Sequence, residues 1–344
     1  MRTYCTYRYL CWLLLAVSVF WGLSACDLLG NSDNGGEEPI EIDLSGKVVF
    51  SMKAEDGNNQ IFTINTDGSN LTQRTFQNFE FDDSPQSNFM GLHPAWGPNG
   101  DKILFNSSTG HSSMEIWILS PDNINTGYTI FDEHGAQVLG NHPKWKPDGS
   151  QITFFGPQEW NDNPFIYTFS SQEVANLGHY FSDTNSGSDP PPAFWHPAWS
   201  PDGNKLAFFS TLDEWWNIYV GNADGTGLKK VSELQYHTPV SLVWHPSGNF
   251  ITFHAKSDDV TSGLYNLNLE TGELSVIVGQ DDSGLILHPK AWSGDGNFLL
   301  VNNRSDQSNH VLEILEVNDM QLYEVYAATS IIEGADWIIE GSSN

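Results

Sequence analysis

Short apolar segments, separated by polar turns, recur along the chain from about residue 46 onward. Most are rich in β-branched and aromatic side chains with partial alternation, which is typical of β-strands. A second strand-like segment follows each of these, and a third, less regular one closes each group. The first set comprises KILFNS at 102–107, QITFFG at 151–156, KLAFFS at 205–210, FITFHA at 250–255 and FLLVNN at 298–303.

A phrase of the form His-Pro-x-Trp, followed by a turn, precedes each group, and its Trp recurs at intervals of 45 to 54 residues. In the Pro-Asp-Gly turn, Pro fixes φ, Asp bonds its own backbone and Gly accepts positive φ, so two strands reverse tightly. We predict a repeat of four antiparallel strands, with each Trp packed between neighbouring units. The full copies are HPAWGPNG at 93–100, HPKWKPDG at 142–149 and HPAWSPDG at 196–203; SLVWHPSG at 241–248 and HPKAWSGDG at 288–296 are degenerate copies, and GADW at 334–337 is a truncated one.

The two ends of this repeat are complementary. The first unit starts directly at Lys47-Val48-Val49-Phe50 without a Trp strand, whereas Asp336-Trp337-Ile338 is a Trp strand with nothing after it. Pairing of these segments would close a ring and remove two exposed sheet edges. We therefore predict an all-β fold over residues 46–341, a six-bladed β-propeller of four-stranded antiparallel blades.

The repeat resembles that of the TolB-type β-propeller family, a relative of WD-repeat propellers. The resemblance rests on HPAWSPDG followed by KLAFFS, then NIYV, an Ala-Asp-Gly turn and LKKVS, and it covers about residues 46–340. It implies a propeller that is commonly extracytoplasmic and often serves as a protein-binding or sensing module. The fold also hosts scaffolds, peptidase gates and polysaccharide lyases, so it leaves the activity open.

The first 26 residues have the features of a targeting segment. Arg2 and Arg8 precede an apolar run over 10–25, which ends in Leu23-Ser24-Ala25-Cys26 and resembles a bacterial lipobox. We expect a signal peptide at 1–25, a lipidated Cys26 and a flexible acidic linker at 26–45. The alternative is an ordinary signal peptide with a chance cysteine. With lipidation, the protein would be extracytoplasmic and anchored to a bacterial membrane of the cell envelope, inner or outer.

The charge of the chain excludes some functions. It carries 43 Asp and Glu against 14 Lys and Arg, for a net charge of −29. Nucleic-acid binding needs basic patches, so we expect no nucleic-acid partner. Direct attraction to anionic lipid is disfavoured as well, which leaves the lipid anchor as the membrane contact.

Aromatic side chains are concentrated in the segments expected on one face of the disc. That face receives the long connections, including 76–92, 156–164, 178–195 and 210–216, and long loops on a rigid scaffold commonly carry binding groups. Flat aromatic faces beside carboxylates can bind sugar rings or a protein loop; alternatively, these side chains fold back and cap the blades. The candidate contact residues are Trp160, Phe194, Trp195, Trp215 and Trp216.

Three histidines, His93, His142 and His196, occupy the same repeat position, three residues before the Trp. We expect them at one height on three adjacent blades, as a rim around the channel. Such a rim could hold a transition metal, Zn²⁺ or Mn²⁺, with an open position for water. The alternative is a structural feature of the repeat, with each ring bonded to neighbouring backbone and no cofactor present.

These features favour a monomeric, lipid-anchored propeller that acts as a binding or scaffold module for an envelope protein or a glycan on the long-loop face. The alternative is a metal-assisted polysaccharide lyase or hydrolase that uses the His rim. We assign no catalytic residue, because the sequence has neither a Gly-x-Ser-x-Gly elbow nor a phosphate-binding glycine-rich loop.

A Cys26→Ala variant tests the anchor. We expect it to leave the membrane fraction, because the thiol that would carry the lipid is gone, whereas Cys11→Ala changes only the leader. Membrane fractionation with immunoblotting measures both variants. A Cys26→Ala protein that stays wholly in the membrane fraction contradicts lipidation at this residue.

Overall fold

The computed structural model describes residues 44–77, 80–81, 84–85, 90–108, 114–158, 161–178, 192–213, 215–233, 240–256, 262–279, 284–306 and 309–339. The chain divides into two units, 1–43 and 44–344. The first unit, which includes the expected signal peptide and Cys26, lies outside the described residues. Within the described ranges, no helix combines the length and apolar character needed to cross a membrane.

Six four-stranded antiparallel sheets, the blades, are each built from strands that are neighbours in sequence, except in the first blade. The first blade contains β1 (Gly46–Lys53), β2 (Asn59–Asn65) and β3 (Thr72–Gln73) together with β26 (Ile332–Ile339), and a small hairpin of β4 (Glu80–Phe81) and β5 (Ser84–Pro85) follows it.

The other five blades repeat one pattern, with the Trp strand first. The second blade has β6 (Met90–Trp96), β7 (Ile103–Ser108), β8 (Glu115–Leu119) and β9 (Tyr128–Thr129); the third has β10 (Asn141–Trp145), β11 (Gln151–Gln158), β12 (Asn161–Thr168) and β13 (Glu173–Asn176). The fourth has β14 (Phe194–Trp199), β15 (Lys205–Asp213), β16 (Trp215–Asn222) and β17 (Lys229–Lys230). The fifth has β18 (Leu242–Trp244), β19 (Phe250–Ala255), β20 (Gly263–Asn268) and β21 (Leu274–Gly279); the sixth has β22 (Leu287–Trp292), β23 (Phe298–Asp306), β24 (Asn309–Glu316) and β25 (Gln321–Ala328).

The last strand completes the first sheet. β26 pairs antiparallel with β1, with Trp337 opposite Val48 and Asp336 opposite Val49. The predicted closure and the six-bladed fold are therefore confirmed.

Hydrophobic clusters fill all six junctions between adjacent blades. Each cluster mixes residues from two neighbouring blades, and the cluster between the sixth and first blades contains Leu300 and Leu312 together with Val48, Phe62 and Trp337. Closure thus buries apolar surface at every junction, including the one that joins the two ends of the chain.

The repeating Trp residues belong to these junctions. Trp96 packs with Val49 and Ile61 of the preceding blade. The indole N–H of Trp244 donates to the carbonyl of Ala198 in the preceding blade at 3.0 Å. The predicted structural role of the repeating Trp is confirmed.

The turns after the Trp strands have the predicted chemistry. Asp202 accepts hydrogen bonds from the Asn204 N–H at 3.0 Å and from the Ser200 hydroxyl at 2.5 Å, and Gly203 has φ of 69°. These bonds favour the charged carboxylate and lower the pKa of Asp202.

Two segments expected as long loops are mostly strand. β11 extends to Gln158 and β12 begins at Asn161, and β15 extends to Asp213 with β16 beginning at Trp215. Aromatic residues expected on loops are therefore held on strand ends, which fixes their positions more firmly.

Trp337→Ala tests the closure. The Trp337 side chain is 7% exposed at the closing junction, so its removal should lower the free energy of unfolding by about 3–5 kcal/mol. Trp215→Ala, at a side chain 44% exposed, should cost about 0.5 kcal/mol or less. Urea unfolding measures both variants, and equal losses would contradict the role of Trp337 as a closing residue.

Candidate functional site

The first strands of the blades surround a cavity of about 320 Å³ on the ring axis. A second cavity of about 740 Å³ lies among the Pro-Asp-Gly turns, and the two share Lys144, Pro197, Leu242, Val243 and Lys290 in their walls. The side chains that line the first cavity include His93, His142, His196, His288, Lys144, Lys290, Arg304 and Glu333.

The His-Pro phrase forms a β-bulge. In the second blade the register skips from Leu92 to Ala95, so that His93 and Pro94 together oppose one residue of the next strand. The same skip occurs at His142 in the third blade and at His196 in the fourth. These three histidines have φ of 50°, 51° and 55°, a left-handed conformation that is uncommon for a residue with a Cβ.

The bulges bring three imidazoles together at one level, as expected from their repeat position. The His93 and His142 ring centroids are 3.7 Å apart and stacked, and His142 lies 4.8 Å from His196 edge-on. The His93 Nδ1 is 3.0 Å from the Asn106 Oδ1. In the first blade, Gly334 stands three residues before the Trp, and a Cβ there would be 2.8 Å from the His93 Cα. Only glycine fits this close approach without displacing backbone.

Burial keeps these imidazoles neutral at pH 7. Loss of hydration is the main cause, and it lowers the pKa of His93 to about 4, that of His196 to about 3 and that of His288 to about 2, while the pKa of His142 is lowered as well. The positive charges of Lys144 and Lys290 lower the pKa values of His93, His142 and His196 further.

Two lysines meet in the channel although they are far apart in sequence. Lys144 directly precedes Trp145 in the third blade, and Lys290 is the extra bulge residue between Pro289 and Ala291 in the sixth. The third and sixth blades lie opposite each other in a ring of six. Burial first, and then the charges of Lys144 and Arg304, lower the pKa of Lys290 to about 8.

These cations were not among the predicted site residues, although a signal was present. The position between Pro and Trp in His-Pro-x-Trp is alanine at Ala95 and Ala198 but lysine at Lys144. In the sixth copy, Lys290 likewise directly follows His288-Pro289.

The positions of these side chains can be compared with what the predicted metal site would require. Among the residues that the structure describes, no three His, Cys, Asp or Glu side chains are grouped so as to hold an ion. Two stacked imidazoles do not direct their in-plane lone pairs at one point, and the nearby ammonium charges oppose a divalent cation. The residues therefore fit Zn²⁺ or Mn²⁺ poorly, and the metal-dependent lyase or hydrolase stays an untested prediction.

The predicted contact residues lie in different surroundings. Trp195 is 40% exposed, lies 5.2 Å from the Trp216 ring and is edge-on to His196 at 6.1 Å, so these two indoles adjoin the His rim. Trp215 is 44% exposed, on the opposite face of its blade from Trp216 because side chains alternate along a strand. Trp160 lies outside the described residues.

Phe194 is a correction to the predicted set. It is fully buried in the core between the third and fourth blades, where its ring lies 5.5 Å from that of Phe208. The strand begins at Phe194, one residue before Trp195, and alternation turns these two side chains to opposite faces. Phe194 therefore stabilises the core and does not belong to the exposed aromatic surface.

No protein-family model and no curated protein matches the sequence. Solved structures do: TolB from Acinetobacter baumannii is 16% identical with a TM-score of 0.66, over 86% of this chain and 67% of that chain. A protein assigned as TolB in Agrobacterium tumefaciens is 14% identical with a TM-score of 0.59, over 84% and 91%. A chain of the nidogen/laminin complex is 11% identical with a TM-score of 0.57, over 85% and 98%. These likenesses show that the fold is a propeller of the TolB type.

Because these histidines are neutral in the folded protein, we predict that its stability decreases at acidic pH. A histidine with a lowered folded-state pKa binds its proton first in the unfolded chain, so stability falls as pH drops from 6.5 towards the folded value, about 3 for His196. His196→Asn keeps a residue that tolerates positive φ and should reduce this loss by up to about 1.4 kcal/mol per pH unit.

Urea unfolding at pH 7 and pH 5 measures that slope. The control is His134→Asn, the same substitution at a side chain 81% exposed to solvent, and equal changes of slope in the two variants would contradict the role of burial at His196. An unchanged slope in His196→Asn would show that this ring is not held neutral.

Proposed function

We propose that the chain is an extracytoplasmic binding module that holds a protein or glycan ligand at the long-loop end of its axial channel. The observation that carries this proposal is the indole pair beside the His rim, in which the exposed Trp195 contacts the partly buried Trp216. Both indoles belong to strands at the same end of the fourth blade.

The position of Trp195 supports a role in binding. The repeating Trp residues are packed at the blade junctions, whereas Trp195 leaves 40% of its surface in water next to a concave opening. Large aromatic side chains at the edge of a pocket are the commonest contributors to binding energy. An indole face accepts the C–H face of a sugar or an apolar side chain with little loss of conformational freedom.

The positions of the two indoles on paired strands support the same proposal. Trp195 is the second residue of β14 and Trp216 the second residue of β16, so strand pairing fixes both backbones. A site on paired strands is more firmly oriented than one on a loop. The partly buried Trp216 also packs against the core between the fourth and fifth blades, which supports the more exposed Trp195.

The expected lipid anchor adds a location to this proposal. A lipidated Cys26 followed by a linker of about 20 residues would let the propeller reach ligands a short distance from the membrane. The partner would then be a component of the cell envelope.

Trp195→Ala and Trp216→Ala test the aromatic pair, with glycan-array binding and photo-cross-linking to envelope proteins as the two measurements. We expect each variant to weaken the detected interaction by about tenfold or more, as is usual for a central aromatic contact. The matched control is Tyr128→Ala, at an aromatic side chain 49% exposed on the outer strand of the second blade.

Thermal unfolding first establishes that all three variants are folded. Partners that bind both Trp variants as well as they bind the wild type would show that this end of the channel is not the binding face.

A further inference from the structure

Basic side chains are scarce in this chain but concentrated on its axis. The sequence has 14 Lys and Arg, two of which (Arg2 and Arg8) lie in the expected leader, and three of the others line one cavity of about 320 Å³. Those three are Lys144, Lys290 and Arg304, and among the residues that the structure describes Glu333 is the only carboxylate in the same wall. The cavity wall thus has an excess of positive charge in a chain whose net charge is −29.

The three cations lack carboxylate partners within the part of the chain that the structure describes. The ion pairs there join Lys146 to Asp148, Lys230 to Asp213 and Glu233, and His134 to Glu133. The Nε–H of Arg304 donates to His310 Nε2 at 3.2 Å, which satisfies one donor without neutralising the charge. A half-buried cation that forms no ion pair is costly, and 43 Asp and Glu were available to pair it.

Asp336, a carboxylate that interacts electrostatically with Lys144, is hydrogen-bonded elsewhere. One Asp336 oxygen accepts the Trp96 N–H at 2.8 Å, and the other accepts the Trp337 N–H at 2.9 Å. The bond from Trp96 joins the closing strand to the second blade, and the bond from Trp337 lies within the closing strand. Asp336 therefore serves the ring closure, although it still attracts Lys144.

We propose that the axial channel binds an anionic group of the ligand, a carboxylate or a phosphate, through Lys290, Lys144 and Arg304. This inference rests on the proposed function, since the anion is taken to be part of the captured ligand.

The rest of the cavity suits an anion. Neutral imidazoles of His142 and His196 offer N–H donors without adding charge, and the field that disfavours their protonation attracts an anion. Lys144 and Lys290 also line the wider cavity among the turns, so they stand where the two cavities meet and are reachable from either end. Trp195 would contact the apolar part of the ligand while the anionic group lies deeper.

The pKa of Lys290 gives the proposal a pH signature. The groups that set its charge are Lys144 and Arg304, which lower its pKa, and Glu333, which raises it. With a pKa of about 8, Lys290 is mostly charged at pH 7 and mostly neutral at pH 9. The histidines in this wall titrate far below that range, so anion affinity should fall between pH 7 and pH 9.

The test is isothermal titration of the purified full chain with inorganic phosphate and, separately, with acetate, at low ionic strength. We expect saturable binding of at least one anion with a Kd in the millimolar range or tighter. The pH comparison uses acetate, which is fully ionised at both pH values whereas phosphate gains negative charge, and we expect weaker acetate binding at pH 9 than at pH 7. Lys290→Gln should weaken it by about tenfold or more, which is typical of losing one charge-assisted hydrogen bond. The control Lys205→Gln makes the same charge change at an exposed side chain and should bind like the wild type.

Several outcomes overturn the proposal. They are no saturable binding of either anion, an unchanged Kd in folded Lys290→Gln, an equal loss in Lys205→Gln, and stoichiometric Zn²⁺ or Mn²⁺ retained by the purified chain. If Lys290→Gln does not fold, the wild-type affinity at pH 9 decides, because an affinity equal to that at pH 7 excludes Lys290.

Trp195→Ala separates this inference from the proposed function. It should bind free phosphate or acetate as the wild type does, because neither anion needs the indole. Loss of partner binding with intact anion binding is therefore the expected result. Partner binding that survives in Trp195→Ala contradicts the proposed function alone, whereas a wild-type chain that binds its partner but neither free anion contradicts the anion site alone.

Discussion

The pairing of β26 with β1 is the contact on which the rest of the molecule depends. Each blade buries its two faces only against its neighbours, and six hydrophobic clusters fill the six junctions. An open array would leave two apolar sheet faces and two strand edges in water. Because Trp337 lies opposite Val48, the ends of the sequence form one sheet, and the stability of every blade is tied to that junction.

Closure also creates the candidate site. Six first strands converge on one axis, and bulges at His93, His142 and His196 relieve the crowding by placing one residue of each strand in a left-handed conformation. At the corresponding position of the first blade, Gly334 lies so close to the His93 backbone that a side chain would not fit. The same convergence places Lys144 and Lys290, from opposite blades, in the wall of one cavity. Ring geometry, rather than a sequence motif, therefore concentrates positive charge at the centre of an acidic protein.

The repeat made the architecture predictable, because a Trp and a Pro-Asp-Gly turn recur at the same place in each unit. The level of the three histidines followed from the same repeat. The surroundings of side chains at strand ends were harder to predict. The sequence predicts Phe194 in the loop before β14, whereas the strand begins at this residue, so a core side chain was assigned to the surface. In the sequence, Lys290 is an extra residue in the sixth copy of the repeat. That it lines the same cavity as Lys144 follows only when the third and sixth blades are known to lie opposite each other in a closed ring. Arg304 lies outside the repeated phrase, so no pattern in the sequence indicated it.

Hydrogen exchange of the terminal strand, measured by mass spectrometry, tests the closed ring most directly. In a closed propeller, the amides of 332–339 that face β1 are hydrogen-bonded to it, and these should exchange as slowly as the paired amides of 205–213 in the fourth blade, with both opening together near the global unfolding free energy. An unpaired terminal strand would exchange within seconds while 205–213 stayed protected. That result would contradict the ring, and with it the channel, the histidine rim and the proposed anion site.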